Sequence, residues 1–181
     1  MRNFGLLILC LWLSACTGVP EGVIAINNFD QSRYLGQWYE VARIENRFEK
    51  GLHSVTATYT ARDDGGINVI NQGYSAAEQS WQKAEGKAYF VGSPDTAHLK
   101  VSFFGPFYAS YVVFKLDPDY RYAFVTGNTK EYLWLLSRTP TVSDQVKQAF
   151  LDDAEALGYQ LNQLVWVDQQ IPKAVQSNPN L

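Results

Sequence analysis

From residue 34 to residue 167, apolar and polar side chains alternate in short runs broken by turn formers, the two-residue period of half-buried strands. Val55, Ala57 and Tyr59 alternate with Ser54, Thr56, Thr58 and Thr60. Asp63-Asp64-Gly65-Gly66 then supplies a hairpin turn. Leu99, Val101 and Phe103 alternate with Lys100 and Ser102, and Gly105-Pro106 breaks that run. The pattern predicts eight strands, over 36–45, 54–61, 67–74, 81–91, 99–103, 107–116, 121–126 and 131–138. Connections of hairpin length predict an all-β fold, an eight-stranded antiparallel up-and-down barrel. Closure removes the unpaired sheet edges that a strand-rich protein must otherwise protect.

The period changes once. Val146, Phe150, Ala154 and Leu157 form one apolar helical stripe, with Ser143 as N-cap and Gly158 as the stop. This predicts one C-terminal α-helix packed on the outside of the barrel. A last short strand is expected over 160–167 and a loose tail over 169–181, where Pro172 and Pro179 sit among polar amides.

The first residues follow another logic. Arg2 precedes an apolar run from Phe4 to Leu13, too short to span a bilayer and of the right length for the core of a secretion signal. Leu13-Ser14-Ala15-Cys16 resembles a bacterial lipobox, which implies a signal peptide over 1–15 and acyl chains on Cys16 as the new first residue. Thr17 at the next position implies sorting to the outer membrane. Cys10 lies in the discarded segment, so the mature chain would carry no free thiol and no disulfide. Residues 16–28, with Gly18, Pro20 and Gly22, read as an acylated N-terminus and tether, and 29–168 as the barrel.

The 181 residues carry a net charge of −3 and no strongly basic stretch, which disfavours nucleic acid as a partner. With 46% hydrophobic and 18% charged residues the chain is not broadly disordered. Aromatic residues reach 14%, and eleven fall between Phe103 and Trp134. Such side chains either fill a core or line a pocket for an apolar ligand.

Gly36-Gln37-Trp38 opens the first strand after a short helical turn, Asp119-Tyr120 stands between the sixth and seventh strands, and Arg138 ends the eighth. Together these resemble the lipocalin family. Pro118 departs from the Thr-Asp-Tyr of that pattern. Asn71-Gln72-Gly73-Tyr74, Glu85-Gly86-Lys87-Ala88 and the stretch from Lys100 to Phe107 resemble its bacterial, apolipoprotein D-like branch. The resemblance implies that Gly36, Trp38 and Arg138 close one end of the barrel, the guanidinium packing over the indole. It also implies a fatty acid or lysophospholipid as ligand, a role in envelope lipid storage, transport or maintenance and an outer-membrane location. Two cysteines, one methionine and two histidines leave little for a metal site, and no cofactor is expected. A homodimer stays open.

Parity groups Tyr108, Ser110, Val112 and Phe114 on one face of the sixth strand, Tyr122 and Phe124 on the seventh, and Trp134 and Leu136 on the eighth. It does not say which face is inward. The resemblance favours the Tyr108 and Trp134 faces, so Tyr108, Val112, Phe114, Tyr122, Phe124, Trp134 and Leu136 are expected to line the pocket. Val55, Ala57, Leu99, Val101 and Phe103 are expected to join them. Polar contacts at the mouth are expected from Arg47, Glu49, Lys50, His53, Gln79 and Lys83. An enzyme is disfavoured. His53 and His98 stand in no nucleophile–base motif, and Asp63-Asp64, Asp117/Asp119 and Asp152-Asp153 read as turn or helix-face residues. A purely structural lipoprotein with a filled interior is the remaining alternative.

Overall fold

The computed structural model of the chain describes residues 17–170. The signal peptide, Cys16 and the tail from residue 171 onward lie outside the described residues. A short helix α1 (Gln31–Tyr34), N-capped by Asp30, leads into β1 (Gly36–Ile44). There follow β2 (Leu52–Ala61), β3 (Ile67–Ser75), β4 (Ser80–Phe90), β5 (His98–Ser102), β6 (Ala109–Leu116), β7 (Tyr122–Thr126) and β8 (Leu133–Ser137). Each strand pairs antiparallel with the next, and β1 pairs with both β8 and β2. The ring of eight is thereby closed. A ninth strand, β9 (Leu164–Trp166), adds to β1 where β2 has diverged from it. The run expected over 160–167 is thus split: a 3₁₀ turn over Leu161–Gln163 comes first, and the strand itself is three residues long.

Helix α2 (Asp144–Ala156) carries the expected cap, the Ser143 hydroxyl accepting from Val146 N at 3.4 Å. Gly158 follows at φ +78°, a left-handed stop that a side chain would strain. Phe150 and Ala154 on the apolar stripe are buried against the outer wall of the barrel. Lys115 of β6 donates to Asp153 Oδ2 of the helix at 2.7 Å.

The segment before α1 does not stand off as a free tether. The Ser110 hydroxyl donates to Gly18 O, Val23 is buried in the layer beneath α2, and Ile26 exchanges backbone hydrogen bonds with Val113 and residue 97. Apolar Val23 and Ile26 hold it to the wall.

An up-and-down barrel alternates its connections between two ends. The β2–β3, β4–β5 and β6–β7 turns share one end with Gly36 and Arg138. The β1–β2, β3–β4, β5–β6 and β7–β8 loops share the other, the mouth.

Candidate functional site

The closed end is built around Trp38, which is fully buried. Its indole N–H donates to Tyr34 O at 2.8 Å, and the Arg138 guanidinium lies 3.9 Å above its ring centroid. Arg138 donates to Gln37 O, Arg33 O and Leu35 O at 2.8, 2.7 and 2.9 Å, satisfying carbonyls left free where α1 runs into β1. Gly36 sits at φ +93°, and a Cβ there would meet Arg138 Nη1 at 3.4 Å. Tyr120 braces the same floor: its hydroxyl accepts from Asp30 N at 2.8 Å, and Arg33 stacks 4.2 Å over its ring. Pro118 costs nothing here, because the turn is closed instead by Asp117, which accepts from the backbone N–H of Asp119 and Arg121 and pairs with Arg121 at 2.7 Å. Hydrogen bonds from Arg121 hold the Asp117 carboxyl below its ordinary pKa.

Above this floor the inner wall is mostly apolar. Ala57, Tyr59, Ile67, Val69, Ala88, Leu99, Val113, Ala123, Val125 and Leu136 form one buried cluster, with Val101, Phe103, Tyr111 and Trp134 packed against it. Val101, Phe103, Tyr111 and Trp134 are only partly buried although they point into a closed ring. These inward side chains are thus not sealed by packing on every side.

Of the residues expected to line a pocket, Ala57, Leu99, Val101, Phe103, Trp134 and Leu136 do face inward. Val55 shares their parity on β2 and is buried. Tyr108, Val112, Phe114, Tyr122 and Phe124 do not. Val112, Phe114, Tyr122 and Phe124 belong to the second cluster, between barrel and helix, where Phe124 meets Phe150 edge-on at 5.0 Å between centroids. Tyr108 lies on the outer surface, its ring beside Tyr89 and under the Lys100 ammonium. The reason is physical: α2 covers this part of the wall, so both faces of β6 and β7 are apolar and parity alone has no polar side to identify as outward.

Two polar features stand on the inner wall where sequence reading placed none. A bulge in β1 between Glu40 and Ala42 turns Trp38, Glu40 and Arg43 to the same face, with Glu40 opposite Leu136 and Arg43 opposite Trp134. Arg43 is almost wholly buried and donates to Glu40 Oε1 at 2.9 Å, to Glu45 Oε1 at 3.0 Å and to Glu49 O at 2.7 Å. Trp134 Nε1 donates to Glu49 Oε2 at 3.1 Å, which folds the β1–β2 loop against the wall. Burial, reinforced by the Glu49 carboxylate, pushes the Glu40 carboxyl well above its usual range despite Arg43. Burial works against the Arg43 charge, yet its carboxylate neighbours outweigh that and raise it. Deeper down, the Tyr111 hydroxyl lies 2.7 Å from that of Tyr34 and 3.1 Å from that of Tyr59. Burial drives all three phenols up, so they remain neutral. The shared parity of Trp38 and Glu40 was a readable signal for Glu40, but the bulge that adds Arg43 was not.

Of the residues expected at the mouth, Arg47 and Lys50 are exposed on the β1–β2 loop, whereas Glu49 turns inward. Gln169 is not loose tail: its amide donates to Glu40 O at 2.6 Å and to Val55 O at 3.0 Å, bridging the gap where β1 and β2 part.

An eight-stranded ring closed on itself with a ninth strand added to β1, an indole–guanidinium floor and an apolar inner wall define a barrel closed at one end, and the chain belongs to the lipocalin family: residues 29–169 match the lipocalin-like domain. It is 61% identical over 150 residues to the outer membrane lipoprotein Blc of Citrobacter freundii, covering 83% of this chain and 85% of that one. Identity to the Vibrio cholerae outer membrane lipoprotein Blc is 52% over 171 residues, covering 94% and 100%. Apolipoprotein D of Macaca fascicularis is 34% identical over 134 residues, covering 70% and 67%. Among solved structures, insecticyanin from the tobacco hornworm Manduca sexta superposes at TM-score 0.66 with 19% identity, covering 87% of this chain and 88% of that one, and shows the shared fold. By its kinship the chain is a lipid-anchored lipoprotein of the outer membrane.

Proposed function

We propose that this lipocalin, held to the outer membrane by acyl chains on Cys16, binds a fatty acid or a lysophospholipid in its barrel and serves envelope lipid storage, transport or maintenance. The observation that carries the reading is the inner wall: small and aliphatic residues such as Ala57, Ala88, Ala123 and Val125 line it, and Val101, Phe103 and Trp134 keep accessible surface inside a closed ring. A single acyl chain suits such a wall, because each buried methylene gains about 0.8 kcal/mol. A bilayer offers the chain the same burial, so exchange between the two runs near balance and suits a carrier. The head group stays at the mouth. Arg43 is already engaged by the side chains of Glu40 and Glu45, whereas Arg47 and Lys50 stand exposed at the rim.

Native mass spectrometry of the protein after incubation with palmitate or a palmitoyl lysophospholipid tests this. A complex carrying one unmodified lipid is expected. Hydrolysed products would point to an enzyme, and a protein that stays empty would point to a structural lipoprotein.

A further inference from the structure

A third polar side chain stands on the inner wall, and it has no partner. Asn71 of β3 lies opposite Ala57 of β2 and Ala84 of β4, and it shares the parity of Ile67 and Val69 in the inner cluster. Its Oδ1 is buried and accepts no hydrogen bond. Ala84, directly across from it on the same face, is exposed, so the inner wall stays accessible at this level.

A surplus donor stands close by. Tyr59 pairs with Val69, two residues before Asn71, which makes Tyr59 and Asn71 diagonal neighbours on the inner face. Such neighbours lie roughly 7–8 Å apart, within reach of long side chains. The Tyr59 hydroxyl belongs to the cluster with Tyr111 and Tyr34, joined at 3.1 and 2.7 Å. Three hydroxyls carry three protons, and the two contacts among them use two. One phenol donor is left over. An orphan acceptor and a spare donor thus share one stretch of wall. Buried polar groups in folded proteins are paired, so this stretch calls for a partner from outside the chain.

The count of donors and acceptors defines that partner. A carboxylate would take the phenol proton but set acceptor against acceptor at Asn71 Oδ1, and it would bury a charge among neutral groups. A carbonyl fails at Asn71 for the same reason. An ammonium offers donors only. An uncharged hydroxyl both gives and takes. Ser75, the last residue of β3, is four residues nearer the mouth than Asn71, roughly 13 Å of strand. A lipid whose head group stays at the mouth therefore presents the middle of its chain here.

We propose that Asn71 and the Tyr34–Tyr59–Tyr111 hydroxyls form a subsite for a hydroxyl carried mid-chain on the bound lipid. That hydroxyl donates to Asn71 Oδ1 and accepts from the phenol cluster. The barrel then prefers a hydroxylated acyl chain to the unsubstituted chain of the same length. The inference rests on the reading of the barrel as an acyl-chain binder.

The test is a tryptophan-fluorescence titration of the wild-type protein with stearate, 12-hydroxystearate and 2-hydroxystearate, the last carrying its hydroxyl beside the head group. The 12-hydroxy acid is expected to bind about tenfold more tightly than stearate, and the 2-hydroxy acid within about twofold of it. In Asn71→Val, a replacement suited to a strand, the ratio between 12-hydroxystearate and stearate is expected to fall to about one. The wild-type comparison stands without the variant. Equal affinity for stearate and 12-hydroxystearate overturns the proposal and leaves the polar pair to a bound water. An equal gain from the 2-hydroxy acid, or a ratio that survives in folded Asn71→Val, overturns it as well. Failure of all three acids to bind overturns the acyl-chain reading together with the subsite, whereas stearate binding without a hydroxyl preference overturns the subsite alone.

Discussion

The two faces of β6 and β7 are both apolar but are built from different side chains. Inward stand Tyr111, Val113, Ala123 and Val125; outward stand Phe114, Tyr122 and Phe124, packed with Phe150 and Ala154 of α2. Most of the bulk on these two strands is therefore outside, where ring meets ring at 5.0–6.1 Å, and apart from Tyr111 their inward residues are small. One face is a solid core that fixes the fold, and the other is the wall proposed to receive the ligand. Aromatic density along a strand does not mark a binding face when a helix covers the other side; small inward residues beside large outward ones do.

This contrast can be broken from either side. The largest effect is expected in the solid layer. Phe150→Ala or Phe124→Ala should cost about 3–5 kcal/mol in denaturant unfolding, because each leaves a cavity in close-packed surroundings. Lipid affinity of the folded fraction should not change. Next comes the floor. Arg138→Ala removes the cation over Trp38 and three donors to free carbonyls and should cost about 2–3 kcal/mol by the same measurement. On the hollow side, Trp134→Ala should weaken binding about tenfold, or about 1.4 kcal/mol, in a fluorescence titration with palmitate. Stability should fall less than in Phe124→Ala, since the indole is only partly buried whereas Phe124 is fully buried.

The smallest effect is a pH dependence. The Glu40 carboxyl in the folded chain lies above its ordinary value of 4.5, because of burial. Its contribution to stability is therefore complete below 4.5 and is lost as pH rises through the folded value. Glu40→Gln should flatten the stability difference between pH 7 and pH 5 relative to the wild type. An identical difference in both proteins would mean that Glu40 ionises in the fold as it does in water.

The barrel was legible because strand period, turn residues and the Gly36–Trp38–Arg138 set all specify one closed topology. The two cluster memberships of β6 and β7 were not, since a period of two groups residues without orienting them. Trp134 and Leu136 fell inward and Tyr108 and Phe124 outward because α2 makes both faces of this wall apolar and leaves parity nothing to orient by. Arg43 was hidden likewise, because the β1 bulge moves it onto a face its position number does not indicate. Gln169 became visible only once β1 and β2 were seen to part.

The inward and outward assignments meet in one titration. Palmitate is added to wild type, Trp134→Ala and Phe124→Ala, each first shown to be folded by circular dichroism, and affinity is read from retained tryptophan fluorescence. A loss confined to Trp134→Ala is the predicted result. A loss confined to Phe124→Ala would place the ligand on the helix side of the wall and contradict the hollow barrel.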